Sequence, residues 1–179
     1  FGLIRSHYSD LFFPATNTIM THVRYLVFLP SLLEVAAETS HPERQFNELQ
    51  DKVCKALKKG APKANGIIGA SAGADLQRFP AEIYWSALQE LNIVRRKTSI
   101  RRLLNLFKKR FSGPVDEEGV REGFETEVLL DEHAVELSRE ALYSGKEKRQ
   151  DLTFRLTLEE REFLVKRYRD RKPQSLFSY

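Results

Sequence analysis

Residues 66–110, GIIGASAGADLQRFPAEIYWSALQELNIVRRKTSIRRLLNLFKKR, decide how this chain is read. They hold its one tryptophan, Trp85, and its densest run of positive charge. They also hold one motif with catalytic potential, Gly69-Ala70-Ser71-Ala72-Gly73, which fits the G-x-S-x-G pattern. In hydrolases that pattern lifts a serine onto a sharp turn between a buried strand and a helix. Here only Ile67 and Ile68 precede it as apolar residues, too few for such a strand. A triad of Ser71, Asp131 and His133 can be written, but it crowds acid and base two residues apart. The bland alternative is that small residues let two helices pack closely. The reading that fits better has short helices over about 70–78 and 81–91, turned at Arg78-Phe79-Pro80. Two such helices form a helix-turn-helix or winged-helix-like centre, here followed by a basic arm.

The arm is the strongest functional signal. Between Leu91 and Val115 stand eight Lys/Arg and no acid; between Asp116 and Glu140 stand ten acids and two arginines. A balance of +8 followed by −8 points to a nucleic-acid surface. The competing reading folds the acidic stretch back onto the basic one. Lysine and arginine beside a two-helix unit bind phosphates. Arg78, Arg95, Arg96, Lys97, Arg101, Arg102, Lys108 and Lys109 are therefore the expected contacts, with DNA favoured over RNA. If Ser99 to Phe111 is helical, Leu103, Leu104 and Phe107 pack inward with Ile100 beside them. Arg101, Arg102, Lys108 and Lys109 then reach solvent. Tyr84 and Trp85 could stack on bases, although a lone tryptophan on an amphipathic helix more often lies in the core with its N–H bonded.

Composition bounds the rest. The 179 residues, 30% charged with a net charge of +4, are enough for one domain or two small ones. Residues 1–60 read as an N-terminal helical block and 61–179 as the helix-turn-helix-like centre with its basic arm and C-terminal strand and helix; the alternative is one continuous domain. A single cysteine, Cys54, excludes an intrachain disulfide, and without a Cys/His cluster no metal or cofactor is expected. No apolar run reaches the ~20 residues of a membrane span, so a cytoplasmic location is expected.

Taken in order, Leu3 to Phe13 reads as a short helix stopped by Pro14. Asn17 or Thr18 caps a second helix running to about Glu38, with Ile19, Val23, Leu26, Val27 and Leu33 inward and Thr18, Thr21 and Arg24 on the polar face; Pro30 kinks or splits it. Pro42 to Gly60 carries the stripe Phe46, Leu49, Val53, Ala56 and Leu57. Asn92 suits a left-handed helix end. Gly123 to Leu130 and Leu152 to Leu156 read as short strands, Asp131 to Tyr143 as a helix, and Thr157-Leu-Glu-Glu160 as a capping box opening the last helix. The sum is a mainly α helical bundle with few short strands. The four histidines share no spacing and read as surface or capping residues.

Leu11-Phe-Phe-Pro-Ala-Thr-Asn-Thr-Ile-Met-Thr-His-Val-Arg-Tyr25, closing on Pro30, resembles the first motif of an uncharacterised bacterial family, near L-F-P-G-x-S/T-x-I-x-T-x-x-R-Y. Ala15 departs from the glycine and Val23 from a small residue. Ile68-Gly69, Arg78, Pro80 and Ile83-Tyr84-Trp85 resemble its second motif; Leu152 to Glu160, with Ser175-Leu176, resembles its third. These motifs carry no established chemistry. The resemblance implies more sequence before Phe1 and, since such proteins are often encoded beside helicases and nucleases of phage-defence clusters, a helicase or nuclease partner. It also implies no serine nucleophile at Ser71. A non-catalytic nucleic-acid-binding or adaptor subunit is the expected role. The alternatives are a scaffold whose basic stretch holds an acidic protein, and a hydrolase acting through Ser71.

Overall fold

The computed structural model describes residues 16, 19–68, 78–112, 129–143 and 152–175. Its elements, in order, are α1 (Tyr25–Ala37), α2 (Pro42–Gly60), α3 (Pro80–Glu90), α4 (Ile100–Ser112), α5 (Glu132–Tyr143) and α6 (Leu158–Arg171). The protein is a mainly α helical bundle. The first helix of the anticipated helix-turn-helix, the Ser71 motif and the stretch 123–128 lie outside the described residues.

The bundle is built around α1. Its sequence YLVFLPSLLEVAA is apolar on every side, and a helix of that kind must be surrounded. It packs against α2, α3, α4 and α5. One continuous cluster of buried side chains draws on all six helices, with Tyr25, Phe28, Phe46, Tyr84 and Phe107 the largest.

Pro30 does not split α1; the helix runs through it. Proline removes the N–H that would bond the Leu26 carbonyl, and a side chain of α5 supports the adjoining backbone groups. The Ser138 hydroxyl donates to the Phe28 carbonyl (3.0 Å) and accepts from the Ser31 N–H (3.1 Å). With the Ser138 proton so engaged, the Ser31 hydroxyl donates to Ser138 Oγ at 2.7 Å.

α1 also starts later than its sequence suggests. Ile19 and Val23, expected inward, are 46% and 42% exposed. The Thr21 and His22 N–H groups do not enter a helix, because both donate to the Tyr84 hydroxyl, at 3.0 and 2.9 Å. Thr21 Oγ1 donates to the Gly66 carbonyl at 2.6 Å. Gly66 sits at φ +81°, where a Cβ would stand 2.7 Å from the Thr21 Cβ, so both conformation and space require glycine.

Other local signals hold. α2 has the expected bounds and buries Phe46, Leu49, Val53 and Leu57, with Ala56 half-buried. Asn92 takes φ 56° after α3. Thr157 and Glu160 form the reciprocal capping box of α6. Among the described residues the only β pairing is an antiparallel bridge of Val94 with Leu130. Leu152 to Leu156 alternates as a strand would but forms no strand and bends at Phe154; its Thr153 carbonyl accepts from Arg24 Nη1 instead (2.8 Å).

Candidate nucleic-acid interface

The structure divides the basic arm in two. In α4 the positions expected to face inward do so: Leu103, Leu104 and Phe107 are buried, and Ile100 packs against them. Arg101, Arg102, Asn105, Lys108 and Lys109 are all exposed. At 100° per residue these five positions share a face of roughly 120°. Arg101 with Lys108, and Arg102 with Lys109, form two columns whose members stand about 10.5 Å apart along the axis, with Asn105 between. None of the four cations forms an ion pair with a described residue.

The start of α4, like that of α1, lacks an acid. α2, α3, α5 and α6 each place an acid in the first turn, where it complements the positive helix end. α4 has none there and carries Arg101 and Arg102 instead. The Ser99 hydroxyl accepts from the Arg102 N–H at 3.3 Å. Two arginines at the positive end of the helix dipole make this end of α4 attractive to anions.

The part before α4 is engaged within the protein. Arg95 donates its backbone N–H to Leu129 (2.9 Å), and its guanidinium lies 3.6 Å from Asp131. The Arg96 carbonyl accepts from Gln89 Nε2 at 2.9 Å. Lys97 is 82% exposed but lies 4.0 Å from Glu90, which Lys172 also approaches at 2.6 Å. Arg78 is exposed, two residues before α3. The acidic stretch thus does fold back, through Asp131, onto Arg95; its residues 116–128 lie outside the described set.

Asp131 is occupied on both oxygens. Oδ1 accepts from the Ala134 N–H, capping α5, and Oδ2 pairs with Arg167 and Arg95. Burial pushes its carboxyl up, but the Arg167 hydrogen bond, the Ala134 N–H and the charges of Arg167 and Arg95 outweigh it and hold the group below the usual range. His133 packs its ring against Phe163 at 5.3 Å. Asp131 is thus an anchor for arginines, and Ser71, the nucleophile of the triad, lies outside the described residues.

α3 faces mostly inward. It buries Ala81, Ile83, Tyr84, Trp85, Ala87 and Leu88. Trp85 Nε1 donates to the Thr98 carbonyl at 2.6 Å, so Tyr84 and Trp85 are core residues rather than a stacking platform. The exposed positions are Glu82 and Ser86, with Gln89 and Glu90 half-exposed, and carboxylates repel phosphates.

The residues that carry the family resemblance meet in one place. Arg24 Nη2 and Nε bond Glu160 Oε1 at 2.7 and 3.2 Å, joining the first motif to the third. The Tyr25 hydroxyl accepts from the Ile68 N–H at 3.0 Å, and Tyr25 packs 5.2 Å from Tyr84, joining the first to the second. These pairings lie 43 to 136 residues apart, and no local pattern reveals them. Among the described residues no group of His, Cys, Asp and Glu could hold a metal, and no helix is long and apolar enough to cross a membrane.

Fold and surface together define an α-helical protein with a basic helical face. The model of the family of unknown function DUF6361 matches residues 1–108, and the chain belongs to that family. Comparison with curated proteins gives no match. Comparison with solved structures gives none either.

Proposed function

We propose that this protein is a non-catalytic nucleic-acid-binding subunit that grips the phosphate backbone with the exposed face of α4. The observation that carries the reading is the set Arg101, Arg102, Lys108 and Lys109: exposed, on one side of one helix, and not neutralised by a described acid. Keeping four like charges together is unfavourable without a polyanion to balance them. Arg96 and Lys97 lead into this face and extend it; Arg78 and Arg95 are auxiliary. Duplex DNA fits better than a single strand, because Phe107 within α4, and Tyr84 and Trp85 before it, are buried and offer no base-stacking surface. Side chains that reach phosphates carry no sequence information, so binding is largely sequence-independent. The resemblance implies genes that often stand beside helicases and nucleases of phage-defence clusters, so a helicase or nuclease is the proposed partner and the cytoplasm the proposed location.

The test is fluorescence anisotropy with a labelled duplex and a labelled single strand across a salt series. Each neutralised phosphate contributes about 0.9 to the slope of log affinity against log salt, so four contacts give a slope of about −3.6. Folded protein that binds neither probe at low salt overturns the reading and moves the basic face to an acidic protein partner.

A further inference from the structure

Between the segment leading into α1, the side chain of Tyr84 and the inner side of α6 lies a cleft of about 470 Å³. That is within the roughly 300–1,000 Å³ of small-molecule sites. Its walls are mainly apolar, with Met20, Leu26, Leu164 and Val165 among them. The polar atoms of Thr21 are turned away from it by their bonds to Gly66 and Tyr84.

Thr16, His22 and Tyr168 also line it, with His22 Nε2 held by the Asn65 carbonyl. Tyr84 is 1% exposed, yet it lines the cleft. Its oxygen accepts two backbone N–H groups, from Thr21 and His22, so both lone pairs are engaged. The hydroxyl proton donates to no described residue. A phenol that accepts twice is polarised into a stronger donor, and a buried donor left unmatched is unfavourable. Arg161 stands at the rim, exposed and without an ion pair to a described residue. An inward hydroxyl donor, a cation at the mouth and an apolar body match one ligand chemistry.

We infer that this cleft binds a small carboxylate with an apolar tail, its head toward Tyr84 and Arg161 and its tail along Met20, Leu26, Leu164 and Val165. The inference stands apart from the nucleic-acid reading, since it uses none of the residues of α4.

Met20 is the one methionine of the sequence and lines the cleft, so a ¹³C-methyl methionine label, assigned with Met20→Leu, reports on it directly. The probe is decanoate, with decanol as the neutral comparator. Decanoate shifts the Met20 methyl resonance saturably. Decanol binds more weakly, Arg161→Ala weakens decanoate by about tenfold, and Val165→Trp, which fills the cleft, removes the response. No saturable shift at millimolar decanoate, or a response that survives Val165→Trp in protein of unchanged helical circular dichroism, overturns the inference. Should Val165→Trp fail to fold, Arg161→Ala decides: equal affinity for decanoate in that exposed-site variant overturns it as well.

Discussion

Replacing Arg24 by alanine tests the joint on which the fold closes. The guanidinium donates to Glu160 Oε1 through two nitrogens and to the Thr153 carbonyl through a third, and it lies over the Phe28 ring at 5.2 Å. Side-chain exposures of 10% for Arg24 and 3% for Glu160 place the pair in the interior. Truncation leaves Glu160 buried, with the Thr157 N–H on its second oxygen but nothing on the first. Removing one partner of a buried pair costs about 3–5 kcal/mol, whereas an exposed pair such as Arg44–Glu48 contributes little. For a chain of this size each kcal/mol moves Tm by about 2–4 °C, so Arg24→Ala lowers Tm by on the order of 10 °C. The double variant Arg24→Met with Glu160→Gln removes both charges and keeps an acceptor for the Thr157 N–H. It loses less than half of what Arg24→Ala loses. The assay is urea unfolding followed by circular dichroism, with equal slopes required for the comparison. A loss below about 1 kcal/mol for Arg24→Ala, or a double variant less stable than the single, refutes the reasoning.

Ser138→Ala removes the acceptor of the Ser31 N–H at the proline turn of α1 and costs about 1–3 kcal/mol by urea midpoint; an unchanged midpoint contradicts that support. The depressed Asp131 carboxyl contributes stability that is complete above its unfolded value of about 3.9 and is lost as pH falls through its lower folded value. Unfolding free energies between pH 5 and pH 2 therefore fall less steeply in Asp131→Asn, and parallel curves would count against the double arginine anchor. Burial, with a smaller push from Asp51 against the opposing pull of Lys58, raises the Cys54 thiol to about 11. Native protein at pH 8 thus resists a thiol-specific disulfide reagent that labels the urea-unfolded chain at once; equal rates in both states would show Cys54 to be accessible.

What the sequence made legible was local. The stripe of α2, the capping box at Thr157, the left-handed Asn92 and the inward row of α4 each depend on residues within a turn or two of one another. The departures came from partners far along the chain. Thr21 and His22 have helix-compatible neighbours, but a hydroxyl 62 to 63 residues away holds their N–H groups in an irregular entry. Pro30 has the local signature of a break, and a serine on α5 makes the helix tolerable. Leu152 to Leu156 alternates like a strand, yet one of its carbonyls serves Arg24. The basic arm shows the same division. Composition alone treats Arg95 and Arg101 alike, while the folded chain sets one beside Asp131 and leaves the other exposed on α4.

The account therefore turns on where the charge is, not on how much there is. The measurement that decides it compares two charge reversals on the whole chain. One variant carries Arg101→Glu, Arg102→Glu, Lys108→Glu and Lys109→Glu; the other carries Lys52→Glu, Lys55→Glu, Lys58→Glu and Lys59→Glu on the exposed side of α2. Both change the net charge equally, and both are assayed for duplex binding by anisotropy at low salt and along a salt series. The account predicts that the α4 reversal abolishes binding while the α2 reversal keeps most of the affinity and a slope of about −3.6. Equal losses in the two variants, or undiminished binding after the α4 reversal, would contradict it.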